Sequence, residues 1–212
     1  MEQDWASENL LIIRTLMERS AVYRHALAPV MSLVGFTGII AGAVGAGLGF
    51  ETSRFFAAYW TGIAIVCMVE AFLLIRRQAV KEVEPFWSPP ARRVVRAILP
   101  AFFAGLAVAV VFFCMDLTVR EQVVLIIPIW MVIYGLGMHS AGFFMPRGFR
   151  WFGWGFIVCG LAGAGYWARL SATDTRLPDF PVANTAMAVL FGGAHTAYGI
   201  YLYFTEKRQP VV

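Results

Sequence analysis

The sequence predicts an all-α integral membrane protein: a bundle of six transmembrane helices in three hairpins, preceded by an amphipathic interfacial helix. Six apolar stretches recur along the chain, at residues 27–48, 55–75, 98–117, 123–145, 149–168 and 182–204, and nearly all of the charge lies in the connectors between them. Each stretch can cross a hydrocarbon core of about 30 Å at ~1.5 Å per helical residue. Composition agrees with this reading. Of 212 residues, 59% are hydrophobic and 14% charged, with a mean hydropathy of +0.69. That is too apolar for one soluble core and ordinary for a bundle whose outer face meets lipid. Barrel strands would alternate in hydrophobicity, whereas residues 101–114 read AFFAGLAVAVVFFC without a polar break.

Taken in order, residues 1–26 form a cytoplasmic arm, 27–204 the transmembrane domain and 205–212 a cytoplasmic tail. In the arm, Leu10, Ile13, Met17 and Ser20 fall on one helical side, flanked by Ile12, Leu16 and Tyr23, with Arg14, Glu18 and Arg24 largely elsewhere. This pattern predicts a helix lying on the membrane surface, as an anchor or a docking element. The acidic start and the lack of a cleavage site give no indication of a removable signal peptide. The first span carries Gly35, Gly38, Gly42, Gly45 and Gly49 at spacings of three and four, a bare stripe that lets another backbone approach closely. It predicts a central helix or a dimer contact.

The second span holds Glu70. After it, Pro85-Phe86-Trp87-Ser88-Pro89-Pro90 predicts a helix capped by Ser88 with proline in its first turn, and Arg92, Arg93 and Arg96 line its start. These arginines form a surface for anionic lipid headgroups or an acidic partner. The fourth span holds His139 between Gly135 and Gly142, and the sixth holds His195 between Gly192 and Gly199. Glycine on the same face as each imidazole lets a neighbouring helix or a flat cofactor come close. In the fifth span Gly153, Gly160 and Gly163 make a weaker glycine surface. The connector 171–181, with Asp174, Asp179 and two prolines, suits a cap over helix ends.

Orientation follows from the basic residues. Thirteen lysines and arginines fall in the arm, the second and fourth connectors and the tail, against four (Arg54, Arg120, Arg169 and Arg176) on the opposite side. The positive-inside rule therefore places both termini in the cytoplasm. The net charge of +4 is accounted for by phospholipid headgroups rather than nucleic acid. Cys67, Cys114 and Cys159 all lie within predicted spans, which supports neither a disulfide framework nor a CxxC metal site.

Glu70, His139 and His195 are the only carboxylate and imidazoles well inside predicted spans. A charge at mid-bilayer costs at least ~2.5–3.5 kcal/mol, so such groups face protein or water rather than lipid. The trio is open to several readings. Two facing histidines can ligate a b-type haem. The three together can bind a divalent metal, although no HxxxH or HExxH pair pre-arranges two ligands on one helix. A buried carboxylate and imidazoles can relay protons in a coupled transporter. Alternatively, the three bond to one another, to Ser140, Thr196 or Tyr198, or to backbone carbonyls, and hold helices together.

The run Ile13-Arg14-Thr15-Leu16-Met17-Glu18-Arg19 ahead of a glycine-rich span, and Phe143-Phe144-Met145-Pro146-Arg147 leading into Trp151-Phe152-Gly153-Trp154, resemble a family of uncharacterised bacterial six-span inner-membrane proteins. The resemblance implies a bacterial cytoplasmic membrane and carries over no activity and no site residue. Short connectors and the lack of a strong catalytic constellation favour a non-enzymatic subunit or regulatory and assembly partner of a membrane complex, without a cofactor. It would act in the bilayer with a membrane protein partner or as a homo-oligomer. A proton-coupled small-solute transporter, or a haem- or metal-binding protein using His139 and His195, is the alternative.

Overall fold

The computed structural model describes residues 27–48, 52–81, 86–115, 119–173 and 180–206. The arm, Gly49, most of the connector before the sixth span and the tail beyond Glu206 lie outside them. The described chain is helical, with no strand: α1 (Leu27–Gly47), α2 (Ser53–Lys81), α3 (Pro89–Cys114), α4 (Val119–Ala141), α5 (Arg147–Thr173), α6 (Phe180–Met187), a π-helical segment (Ala188–Gly193) and α7 (Ala194–Glu206). Three of these, α1, α2 and α3, are long and apolar enough to cross a membrane, as a membrane protein's helices are.

Several boundaries differ from the apolar stretches; α4 ends at Ala141 rather than 145 and α5 runs on to Thr173, and two of the changes carry a helix into charged sequence. The second helix runs on past residue 75 to Lys81, because backbone hydrogen bonding continues after the apolar run ends. The third begins at Pro89 rather than near 98, so its arginines and its apolar stretch share one helix. Its start follows the cap signal. Ser88 is extended at φ −69° and ψ 158°, its hydroxyl accepts from the Ala91 N–H at 3.5 Å, and the two prolines occupy turn positions where no N–H is needed. A further difference has no counterpart in the sequence pattern: the sixth span is not a uniform helix but is widened by a π segment between α6 and α7.

The apolar core has two ends. One cluster joins Ala41 of α1, Phe56 and Trp60 of α2, Phe112 of α3, Ile126 and Met131 of α4, Phe156 of α5 and Phe180 and Met187 of α6. The other joins Leu27 and Met31 of α1, Met138 and Ala141 of α4, Phe149 of α5 and Leu202 of α7, with Val94 and Ile98 of α3 against it. A smaller cluster of Val30, Val34 and Cys67 fills the seam between α1 and α2.

Glycine sets the two closest seams. A Cβ on Gly35 would collide with the backbone N of Thr196, one on Gly42 with Ala188, and one on Gly45 would sit 2.6 Å from Asn184 Oδ1. From the other side, a Cβ on Gly192 would lie 2.6 Å from the backbone N of Ile39. The stripe on α1 therefore receives the last helix of the same chain. In the second seam, a Cβ on Gly153 of α5 would lie 2.6 Å from the backbone N of His139, one on Gly135 2.6 Å from the Gly153 carbonyl, and one on Gly160 2.9 Å from the Pro128 carbonyl. Gly163 is looser, with its nearest neighbour at 3.9 Å. Backbones this close gain dispersion contacts along the whole seam, which is how helices associate where lipid removes the hydrophobic drive.

Candidate functional site

The three titratable residues singled out by the sequence lie in three separate environments, and no contact joins any two of them. His195 is the most enclosed, 1% exposed. Its Nδ1 is 2.7 Å from the Phe191 carbonyl, an acceptor only, so Nδ1 carries the proton and donates. With the ring neutral in this apolar setting, its Nε2 is the acceptor and the Tyr134 hydroxyl donates to it at 2.6 Å. The acceptor for Nδ1 lies in the π segment, where the turn is wider than in an α-helix. Around the ring stand Phe191 at 4.2 Å, Phe152 edge-on at 4.9 Å and Phe156 at 5.5 Å between centroids. The result is a neutral imidazole with both nitrogens satisfied, tying α7 to α4 inside an aromatic box.

Glu70 is half-buried on α2, at the boundary between the side packed on α1 and the side facing outward. The Thr37 hydroxyl of α1 lies 2.9 Å from Oε1 and 3.0 Å from Oε2. One proton thus serves two oxygens, and among the described residues no other side chain donates to this carboxylate. An ionised carboxylate offers about four acceptor sites, so most of its capacity is open. Exposed Leu33 and Ile40 on α1 and Val66 and Leu73 on α2 flank the pair.

His139 takes a third course. Its ring lies edge-on to Phe143 at 5.4 Å and to Trp154 at 5.6 Å, while Arg150 lies over the Phe143 ring at 5.3 Å. Its Nδ1 is buried and has no hydrogen-bond partner among the described residues.

This geometry decides the ligand readings from the donors themselves. A haem iron needs a free imidazole nitrogen, and Tyr134 and Phe191 hold both of those on His195. The glycines flanking His139 receive α5, at Gly153, Ile157 and Arg150, and those flanking His195 receive α1, at Gly35, Gly38 and Ser32. A helix, not a flat cofactor, fills each glycine face, and the pair does not fit a bis-histidine haem. Nor do three His, Cys, Asp or Glu side chains come together as a metal site among the described residues. The three cysteines are free, Cys67 buried and Cys114 and Cys159 exposed.

Sequence reasoning passed over a second polar node. Asn184 is completely buried; Trp60 Nε1–H donates to its Oδ1 at 2.8 Å, and its Nδ2 donates to the Phe180 carbonyl at 2.9 Å. The adjacent Tyr59 donates to the Ala41 carbonyl at 2.7 Å. Two consecutive aromatic donors on α2 therefore fasten α1 and α6 at the same level. The available signal was a lone asparagine in an otherwise apolar run, the kind of polar residue that joins helices in a bilayer. Arg92, Arg93 and Arg96 are exposed along the first turns of α3.

No protein-family model matches the chain, and no curated protein and no solved structure matches it.

Proposed function

We propose that this chain is a non-enzymatic, six-span membrane protein of three hairpins with both termini in the cytoplasm. It acts in a bacterial inner membrane as a subunit or assembly partner of a membrane complex. The observation that carries this reading is Glu70: a carboxylate within an apolar helix, served by one hydroxyl, at the outer lip of the α1–α2 seam. The partner that fits is a transmembrane helix bringing a hydrogen-bond donor or a cation to the depth of Glu70. Such a donor would offset the ~2.5–3.5 kcal/mol that a carboxylate costs at mid-bilayer.

Burial supports the same face. The most apolar window of α1 is 50% buried, whereas those of α2 and α3 are 11% buried, so α2 has surface to give. Orientation is supported by Arg92, Arg93 and Arg96, exposed at the end that also carries the exposed Trp87 and Trp151. Tryptophan marks a headgroup layer on either side of a bilayer, and the arginines assign this one to the cytoplasm. The proton-relay alternative draws on the same carboxylate but loses its imidazoles, because neither histidine approaches Glu70.

A photo-crosslinking residue at Val66 or Leu73, in native membranes, tests the proposal. The expected result is one discrete adduct with a different protein, lost when Glu70→Ala is added and restored by Glu70→Gln, which keeps an acceptor. An adduct of twice the chain mass would assign the face to a second copy, and crosslinks to lipid alone would overturn the docking reading. Solute uptake coupled to protons and abolished by Glu70→Gln would replace it with transport.

A further inference from the structure

We propose that the outer face of α3 is a binding site for one anionic phospholipid, with its phosphate held by Arg92, Arg93 and Arg96 and an acyl chain laid along the helix below. This rests on the reading that α3 crosses a bilayer, and is independent of docking at Glu70.

The argument begins with the phase of the helix. At 100° per residue, Arg92, Arg96, Leu99, Phe103, Leu106 and Val110 fall within one sector of about 80°. All of them are exposed, with Leu99 at 43% and Phe103 at 64%. The guanidinium groups therefore stand in line above an apolar ridge rather than on another side of the helix. Beside the ridge, Arg93 stands above Pro100, Ala104 and Ala107, which are also exposed and have little side-chain relief. A ridge next to a shallow strip is a track for a hydrocarbon chain.

Its dimensions suit a single leaflet. From Arg96 to Leu106 the helix rises about 15 Å, half of a ~30 Å hydrocarbon core. Trp87, 54% exposed just before the first turn, belongs at headgroup level, where indole is enriched. The connecting segment 76–96 carries six arginines and lysines against Glu82 and Glu84, so its charge favours an anion. Cations directly over an apolar track describe an amphiphile with a negative head. An acidic protein would satisfy the arginines but not the ridge, and inorganic phosphate would do no better.

Native mass spectrometry of the full chain, released from nanodiscs of mixed phosphatidylglycerol and phosphatidylcholine, tests this directly. We expect phosphatidylglycerol to be retained over phosphatidylcholine on the order of tenfold, from the attraction of three cations to an anionic headgroup discounted for screening. The triple substitution R92Q/R93Q/R96Q should abolish the preference, and R92K/R93K/R96K, which controls for folding, should keep most of it. Leu99→Ala with Phe103→Ala should weaken retention of both lipids. Equal retention by the parent chain, an unchanged preference in the glutamine variant, or displacement of bound lipid by inorganic phosphate alone would overturn the proposal. So would loss of a co-purifying protein in the glutamine variant with lipid retention intact, which would reassign the arginines to a partner.

Discussion

His195 and His139 are both imidazoles on glycine-flanked helices, yet they differ in what a single substitution should do. Tyr134→Phe deletes the only proton offered to His195 Nε2 and leaves that nitrogen buried and unpaired. We expect a loss of about 1–2 kcal/mol in unfolding stability, measured by thermal or denaturant unfolding in detergent. His139→Phe should be nearly neutral, within about 0.5 kcal/mol, because the ring packing survives and a buried nitrogen without a partner disappears. If His139→Phe cost as much as Tyr134→Phe, His139 Nδ1 would have a partner outside the described residues. The sequence marked His195 by its depth in an apolar run. It could not supply Tyr134, because that contact closes across 61 positions and depends on which faces of α4 and α7 meet.

Among the elements, the glycine stripe of α1 was legible from its three-and-four spacing, but its occupant was not. A dimer and an intrachain neighbour need the same bare surface, and only the placement of Ala188, Gly192 and Thr196 against it distinguishes them. Gly42→Leu should therefore separate α1 from the last helix and cost more than the ~1–3 kcal/mol typical of overpacking, since the obstruction is backbone and Ala188 Cβ rather than a flexible side-chain end. Gly62 on α2 provides the contrast: a Cβ there meets nothing within 4 Å. Gly62→Ala should be tolerated or stabilising by about 0.5–1 kcal/mol through lower backbone entropy in the unfolded chain. Comparing the two by thermal unfolding separates a packing role from a generic sensitivity of helices to glycine replacement.

For the molecule as a whole, hydropathy alone gave the helical class and the approximate positions of the apolar runs, because transfer to lipid is scored residue by residue. It did not give helix ends. The backbone of α2 and α3 continues beyond the apolar run into arginine-bearing turns, where side chains can reach water while the hydrogen-bond ladder persists. The proposed orientation makes a prediction at this scale. In intact cells, a membrane-impermeant maleimide should label Thr52→Cys from outside and spare Trp87→Cys, which should react only after lysis; both positions are exposed, so the contrast reports sidedness. Cys114 and Cys159 should first be replaced, since both are exposed thiols. The reverse pattern would invert the molecule in its membrane.

The widened turn at Ala188–Gly193 sits between the two polar nodes of one helix, Asn184 above and His195 below. An α-helix advances 100° with every residue, so tightening this turn to α geometry with all of its residues kept would swing everything downstream by about that angle. Asn184 would stay with Trp60, while His195 would leave Tyr134 and carry its imidazole toward the hydrocarbon. The length of the last helix is thus set by two fastenings that must close together, and the loose turn between them absorbs the mismatch.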